Sequence, residues 1–454
     1  SGIKKYEYSK DNKTYYSSTS TTYNFTGLND GTYTLYLRVT DNAGRSTTVS
    51  TSAVVAYQNV YVSSSGNDSS GNGSSSKPYA TIAKAYTKVK SGGSVILLSN
   101  LTQTSQANFN TSGKSVTLKS NGSSIYTITR GSGLTSGSII SFYNSSTTTI
   151  TNVKFNGNNV SSNKPLLISS GSATVNLNSG VTIQNALNTA TYSGGGFGVH
   201  SSSTLNINGA TITSNKSNNQ GAGLYINTAT LNFNSGTISN NSFTSSGGSG
   251  AGILGWQATV NIKGGTISGN TATSEGGGIW VGGNSGKMAF NMTAGTITGN
   301  KANFGGGIAI RSDTTATKTI GTISGGTISS NNASHGGGGV NLGKSVVTIN
   351  NINITSNNAQ WGAGISVTYG ATLYFKGGTV QNNIASSSAA GIDVGSGTEG
   401  GPNHLYIQGG NVINNKCTAS TGIGGINVNT SSGSTYTHSS GTVSGNIPNN
   451  TGSW

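Results

Sequence analysis

Hydrolysis of a glycosidic bond needs two carboxyl groups facing each other across the scissile bond. Elimination chemistry on acidic sugars needs an acidic calcium cluster or a base beside the abstracted proton. Beyond residue 58 the chain offers five acids for such work, Asp68, Glu275, Asp313, Asp393 and Glu399. Asp313 stands two residues from Arg311, the spacing of a local surface ion pair. Asp68 falls in a Gly66-Asn67-Asp68 turn, where side-chain to backbone bonding is usual. His200, His335, His404 and His438 lack metal-ligand spacing. Cys417 is the single cysteine, which excludes an intramolecular disulfide and a cysteine-based metal site. No Gly-x-Ser-x-Gly elbow accompanies a histidine and an acid. No catalytic residue, metal ligand or cofactor is expected.

The formal charge of +15 comes from 24 basic and nine acidic residues, and the basic residues never form a run of four. That is not the basic stripe of a nucleic-acid binder, so no nucleic-acid partner is expected. Attraction to acidic polymers stays open. No apolar stretch approaches 18 residues, so no direct membrane insertion is expected of this fragment. With 71 glycines and only 7% charged residues, solubility must come from Ser, Thr and Asn. Regularly spaced Val, Ile, Leu and Phe argue against disorder.

Those apolar positions belong to a repeat that sets where every other residue stands. The unit reads apolar-x-apolar, a short gap, Gly-Thr-Ile-Ser-x-Asn, a variable polar loop, then Gly-Gly-Gly-Ile-x-Val. Its threonine position falls at Thr182, Thr211, Thr237, Thr266, Thr296, Thr327, Asn353, Thr379, Asn411 and Thr442, at intervals of 26 to 32 residues. Each unit holds three short strand candidates with alternating apolar residues. One contains Ile212, Ile238, Ile267 and their equivalents as far as Val443, with Ile413 or its neighbour Val412 in the penultimate coil. The second carries pairs such as Leu205 and Ile207, and the third pairs such as Ile279 and Val281. A single coil cannot bury these side chains, but stacked coils with parallel strands can. Four residues past the threonine position stand Asn215, Asn241, Asn270, Asn300, Asn331, Asn357, Asn383, Asn415 and Asn446. An asparagine column that keeps phase through loops of different length is expected to be a buried amide ladder.

Residues 59 to 454 resemble the pectin-lyase-like superfamily of right-handed parallel β-helices. Gly265-Thr266-Ile267-Ser268-Gly269-Asn270-Thr271-Ala272 followed by Gly276-Gly277-Gly278-Ile279 is similar to the repeats of polymorphic outer-membrane and adhesin-like proteins. Tyr61-Val62-Ser63, Gly66-Asn67-Asp68 and Lys77-Pro78-Tyr79-Ala80-Thr81-Ile82-Ala83-Lys84-Ala85 resemble the usual start of such domains. Ile82, Ala85, Tyr86 and Val89 have the spacing of a short amphipathic capping helix. Residues 1 to 57 alternate in period two, with turn chemistry at Asn29-Asp30-Gly31 and Asp41-Asn42-Ala43-Gly44, and resemble the later strands of a bacterial Ig-like module. The expected organisation is all-β: a partial Ig-like β-sandwich over 1–57, a lead-in segment with the capping helix over 58–93, and a β-helix of roughly a dozen coils over 94–454.

Within this frame Asp393 takes the outward position of a third strand, beside Ser366 and Asn427, with no second acid. Glu275 and Asp313 fall in loops of nonadjacent coils. The same outward position carries Tyr225, Leu254 and Trp280 in succession, with Trp256 just beyond, an exposed patch suited to sugar rings or a protein partner. These four and Arg311 are the ligand-binding candidates. The expected function is a noncatalytic adhesin-like rod that binds glycan or a host surface protein, extracellular at the cell surface, with export signal and anchor outside this fragment. The alternatives are a carbohydrate-active enzyme, lyase or hydrolase, and a structural spacer without ligand.

Overall fold

A computed structural model describes residues 2–453 except 27, 29, 30, 56, 191–193, 287, 315 and 396–400. Asn29 and Asp30 of the first expected turn, and Glu399, lie outside the described residues. The chain divides into two compact units, Ser1–Ile96 and Leu97–Trp454.

In the first unit an antiparallel sheet is ordered Tyr16–Ser18, Ile3–Ser9, Gly31–Asp41 and Ser46–Val55. The turn at Asp41 forms as its composition predicts. The Asp41 carboxylate accepts the main-chain N–H of Ala43 and Arg45, each at 2.9 Å, and Gly44 takes a left-handed conformation with φ of 83°. Farther along, a helix spans Ile82–Lys88, capped by the Thr81 hydroxyl, which accepts the Lys84 N–H at 3.1 Å. Asp68 holds the cap in turn, accepting from the N–H of Ala80 at 2.8 Å and the hydroxyl of Thr81 at 2.6 Å. Ile82, Ala85 and Tyr86 are the buried helix residues, and Val89 already begins the next strand.

The second unit is a parallel β-helix. One sheet of 13 parallel strands runs from Ala107–Phe109 to Thr451–Ser453 and contains every third strand of the repeat. The other two expected strands of each coil lie in a single larger sheet, and in several coils they fuse into one strand, as in Thr204–Thr213 and Thr230–Ser239. The third side of the coil comes instead from two-residue strands just after the asparagine column, such as Lys301–Ala302 and Asn332–Ala333. Register is kept throughout: Ile212 pairs with Ile238, Ile267, Ile297, Ile328, Ile354, Val380 and Val412 in turn. All of these are buried, and each such side chain contributes about 1.5–3 kcal/mol. Val412, not Ile413, is the inward residue of its coil.

The asparagines form the ladder their spacing predicts, in a more connected form. From Asn215 to Asn415, each Nδ2 donates to the Oδ1 of the next coil's asparagine at 2.9–3.1 Å. The same Oδ1 also accepts that donor residue's main-chain N–H, for example Asn300 N to Asn331 Oδ1 at 3.0 Å. Each Nδ2 donates a second time, backwards, to a strand carbonyl of the preceding coil, as Asn331 does to Ile297 O at 2.9 Å. One side chain therefore ties three coils. At the two ends Ala186 N donates to Asn215 Oδ1 and Asn446 donates to Asn450 Oδ1.

The turn itself is made by the residue before each ladder asparagine and, ahead of the ladder, by Asn185 before Ala186. Asn185, Ser214, Asn240, Gly269, Gly299, Ser330, Ser356, Asn382, Asn414 and Gly445 all have φ between 53° and 66°. Conformation, not space, is the constraint there: at Gly299 a Cβ would meet only Gly269 N, at 3.9 Å. Gly299→Val is expected to cost about 1–2 kcal/mol, because a branched residue resists the left-handed region. Gly299→Asn should cost well under half of that, because asparagine holds this corner in four other coils. Urea midpoints check the pair, and equal losses would contradict it.

Candidate functional site

The corner before each third strand explains the site. Its first glycine is left-handed, with φ of 65° at Gly276, and this folds the chain back over the strand it precedes. A Cβ on Gly276 would lie 2.8 Å from Trp280 Cβ, and one on Gly250 would lie 2.7 Å from Leu254 Cβ. The outward side chains are therefore covered rather than bare. Tyr225, Leu254 and Trp280 are only 3%, 2% and 6% exposed, and they pack with Ala309 in one cluster. This corrects the expectation of an exposed patch. Trp256, one outward position further along its strand, is half-buried and rests against that cluster.

Trp256 and Trp280 lie almost parallel, 10° apart with ring centroids at 5.8 Å. Gly282 makes this possible: it pairs with Trp256 on one side and Arg311 on the other, and a Cβ there would come within 2.9 Å of the Trp280 ring. A groove of about 340 Å³ runs along the third-strand face. Leu254 and Trp280 lie at its floor. One wall is the column before the corner, Gln220, Ser249 and Glu275, each from the next coil. The other wall is the column at the strand ends, Trp256, Arg311 and Asp313. A second hollow of about 300 Å³, lined by Gln220, Tyr225, Asn227 and Trp256, adjoins it.

Glu275 and Asp313 thus share one groove, in adjacent coils, contrary to the nonadjacent placement expected from the repeat. Glu275 bridges in register to Phe304, in the coil that carries Asp313. Arg311 does not pair with Asp313 either: its Nη1 binds Glu275 Oε1, and its guanidinium carbon lies 4.9 Å from the Tyr369 ring centroid. Glu275 Oε2 accepts the indole N–H of Trp280 at 2.9 Å. Both oxygens of Glu275 are therefore engaged, which fixes Trp280 and Arg311 in place. Two buried acceptors of the wall, Asn219 Oδ1 and Gln220 Oε1, have no protein partner. At the edge of the second hollow His200 stacks edge-on against Tyr225 at 5.4 Å, and burial, then Lys164, hold its imidazole below the ordinary value.

Asp393 stands apart from this groove. It is buried, in register between Ser366 and Asn427, and accepts hydrogen bonds from Ser388 Oγ and Asn427 Nδ2, each at 3.2 Å. Burial pushes its carboxyl up to about 6, against the lowering effect of Asn427 and Ser388. Trp361 packs at a corner, with its ring over Gly336 and edge-on to His335 at 5.8 Å.

The structure adds residues that the repeat alone had not singled out. Asn206, Asn232, Asn261 and Asn291 form a second, outward ladder, each donating to the one before at 2.8–2.9 Å, with Asn206 donating to Asn176. Its signal was available, because each sits between the two inward residues of the second strand. Arg130 is fully buried and donates to Pro165 O at 2.8 Å and Gly137 O at 3.1 Å; no period marks it. Among the described residues no group of three His, Cys, Asp or Glu could hold a metal, and no helix is long and apolar enough to cross a membrane. No protein-family model, curated protein or solved structure matches the chain.

Proposed function

We propose that this chain is a noncatalytic, adhesin-like binding protein that works outside the cell and holds glycan in the groove beside Trp256. The observation that carries the reading is the pairing of an indole platform with polar side chains in one groove. Trp256 presents a half-buried ring beside Trp280, and Asn219, Gln220, Ser249 and Ser274 line the same groove. Sugar rings offer what such a groove lacks, an apolar face of C–H groups and an edge of hydroxyls. The repeat's likeness to adhesin-like members of the pectin-lyase-like superfamily agrees with it, and the Ig-like N-terminal segment would then serve as a spacer.

Retention on immobilised glycans and mucin tests this. Wild-type protein is expected to bind, and Trp256→Ala to lose about tenfold or more in affinity, the contribution of one well-placed aromatic. Tyr225→Ala should lose less at this groove, since Tyr225 lines only the adjoining hollow. A blank array, or unchanged retention by Trp256→Ala, would contradict the reading.

The enzymatic reading has one observation in its favour, the placement of Glu275 and Asp313 in the same groove. Against it, both Glu275 oxygens are committed to Trp280 and Arg311, which leaves Asp313 to act without a second free carboxyl. New reducing ends or unsaturated products that vanish in Asp313→Asn would make the chain an enzyme.

A further inference from the structure

We infer that the groove is one half of a two-part site, and that its ligand is a linear oligosaccharide of about three or more pyranose units lying parallel to the β-helix axis. This rests on the reading of the groove as a sugar site and adds to it the length and direction of the chain.

The groove and the adjoining hollow of about 300 Å³ share Gln220 and Trp256, so the two meet at these residues. Register fixes their order. Along the strand ends Asn227, Trp256, Gly282 and Arg311 stand in successive coils; Asn227 lines the hollow, Arg311 lines the groove, and Trp256 lines both. On the opposite wall Gln220 bridges to Ser249, and Gly250 N donates to Glu275 O in the coil after. The joined site therefore runs parallel to the helix axis. From Asn227 to Arg311 it covers three coil steps, about 14 Å, and a pyranose unit of an extended chain advances by roughly one such step.

The two halves differ in chemistry. Trp280 stacks on Trp256 from the coil on the groove side, whereas Tyr225 and Asn227 belong to the coil on the other side. The hollow thus sets two aromatic side chains, Tyr225 and Trp256, between the amides of Gln220 and Asn227, which suits the C–H face of a sugar ring. The groove beyond Trp256 offers the hydroxyls of Ser249 and Ser274 and the amide of Asn219, which suit sugar hydroxyls as donors and acceptors. Each half is at the small end of ligand pockets, which run from about 300 to 1,000 Å³. A short sugar fills one half. A chain that crosses Trp256 fills both, and its second contact is made within a molecule already held by the first.

Calorimetry of the full chain with β-1,4-linked mannose oligomers, and in parallel with β-1,4-linked galactose oligomers, of two to six units tests this. In whichever series is bound, affinity is expected to rise about tenfold or more from the dimer to the tetramer and to level off beyond it. The ratio of tetramer to dimer affinity should fall to about twofold or less in Asn227→Ala, which removes a polar wall of the hollow, and in Asn227→Trp, which fills it. A ratio does not move when a variant merely folds less well. A dimer that binds as tightly as the tetramer, a rise that continues undiminished to the hexamer, or a ratio unchanged in either variant overturns the inference and leaves the glycan reading standing. Failure of every oligomer to bind overturns both.

Discussion

Asn331→Leu is expected to destabilise the parallel β-helix by about 3–5 kcal/mol, although the two side chains are nearly the same size. Asn331 is fully buried and in the middle of the ladder. Its Oδ1 accepts Asn300 N and Asn300 Nδ2, and its Nδ2 donates to Ile297 O and Asn357 Oδ1. Leucine leaves Asn300 N–H with no partner and no route to water, and removes the Asn331 amide from Ile297 O and Asn357 Oδ1. A buried unsatisfied group costs about 1–3 kcal/mol, and with the other lost bonds at about 1 kcal/mol each the sum reaches the stated range. Asn446→Leu should cost less, because Asn446 lies near the end of the stack and is 6% exposed. Equilibrium urea unfolding with m unchanged reads both. A loss below about 1 kcal/mol at position 331 would mean that the ladder decorates the fold without holding it.

Asp393→Asn is expected to act in the opposite direction. A carboxyl whose folded pKa, about 6, lies above its ordinary value of 3.8 binds its proton more tightly in the folded chain. Folding then takes up protons between those values, so stability is greatest below about pH 4 and falls as pH rises through about 6. At neutral pH the buried charge costs about 3 kcal/mol relative to a group with no shift. Asparagine keeps an oxygen to accept from Ser388 and Asn427, and its added N–H can donate to Ser366 Oγ, which is buried without a partner in the adjoining register. Asp393→Asn should therefore stabilise the chain by about 2–3 kcal/mol at pH 7.5 and make little difference at pH 4. A variant that is less stable than wild type at pH 7.5, or an equal gain at both pH values, would show that the carboxyl is not held up by burial.

The architecture was legible because its signals have a fixed phase. Apolar residues two apart, a threonine position every 26 to 32 residues and an asparagine four residues later define stacked coils before any coordinate is known. The buried ladder and the register from Ile212 to Val412 are what that phase predicts. Less was legible wherever the outcome depends on how a coil bends. Two of the three expected strands merge into one sheet because the bend between them is too slight to separate them in coils such as Thr204–Thr213. The left-handed corner residue is Asn, Ser or Gly by turns, so no single letter announces it.

The site was half visible. Trp256, Trp280, Tyr225, Leu254 and Arg311 do come together, since the third-strand register places them. Their exposure was misjudged because a glycine four residues earlier folds back over each outward side chain, a consequence of φ at Gly250 and Gly276 rather than of any pattern. The Glu275–Arg311 pair was missed because loop lengths vary between coils. Only the bridge from Glu275 to Phe304 reveals that the two loops are neighbours. Gly282 gave a signal of another kind: it stands between Trp256 and Arg311 in one register column, where a side chain would meet the Trp280 ring.

Binding without cleavage is the central claim, and mass spectrometry of the bound sugar tests it most directly. Wild-type protein is held overnight with an excess of an oligosaccharide that it retains, and both bound and free sugar are then weighed. The expected result is oligosaccharide of unchanged mass in both fractions, with the bound fraction lost in Trp256→Ala. Shorter chains or unsaturated fragments that accumulate with time, and that disappear in Asp313→Asn, would contradict it.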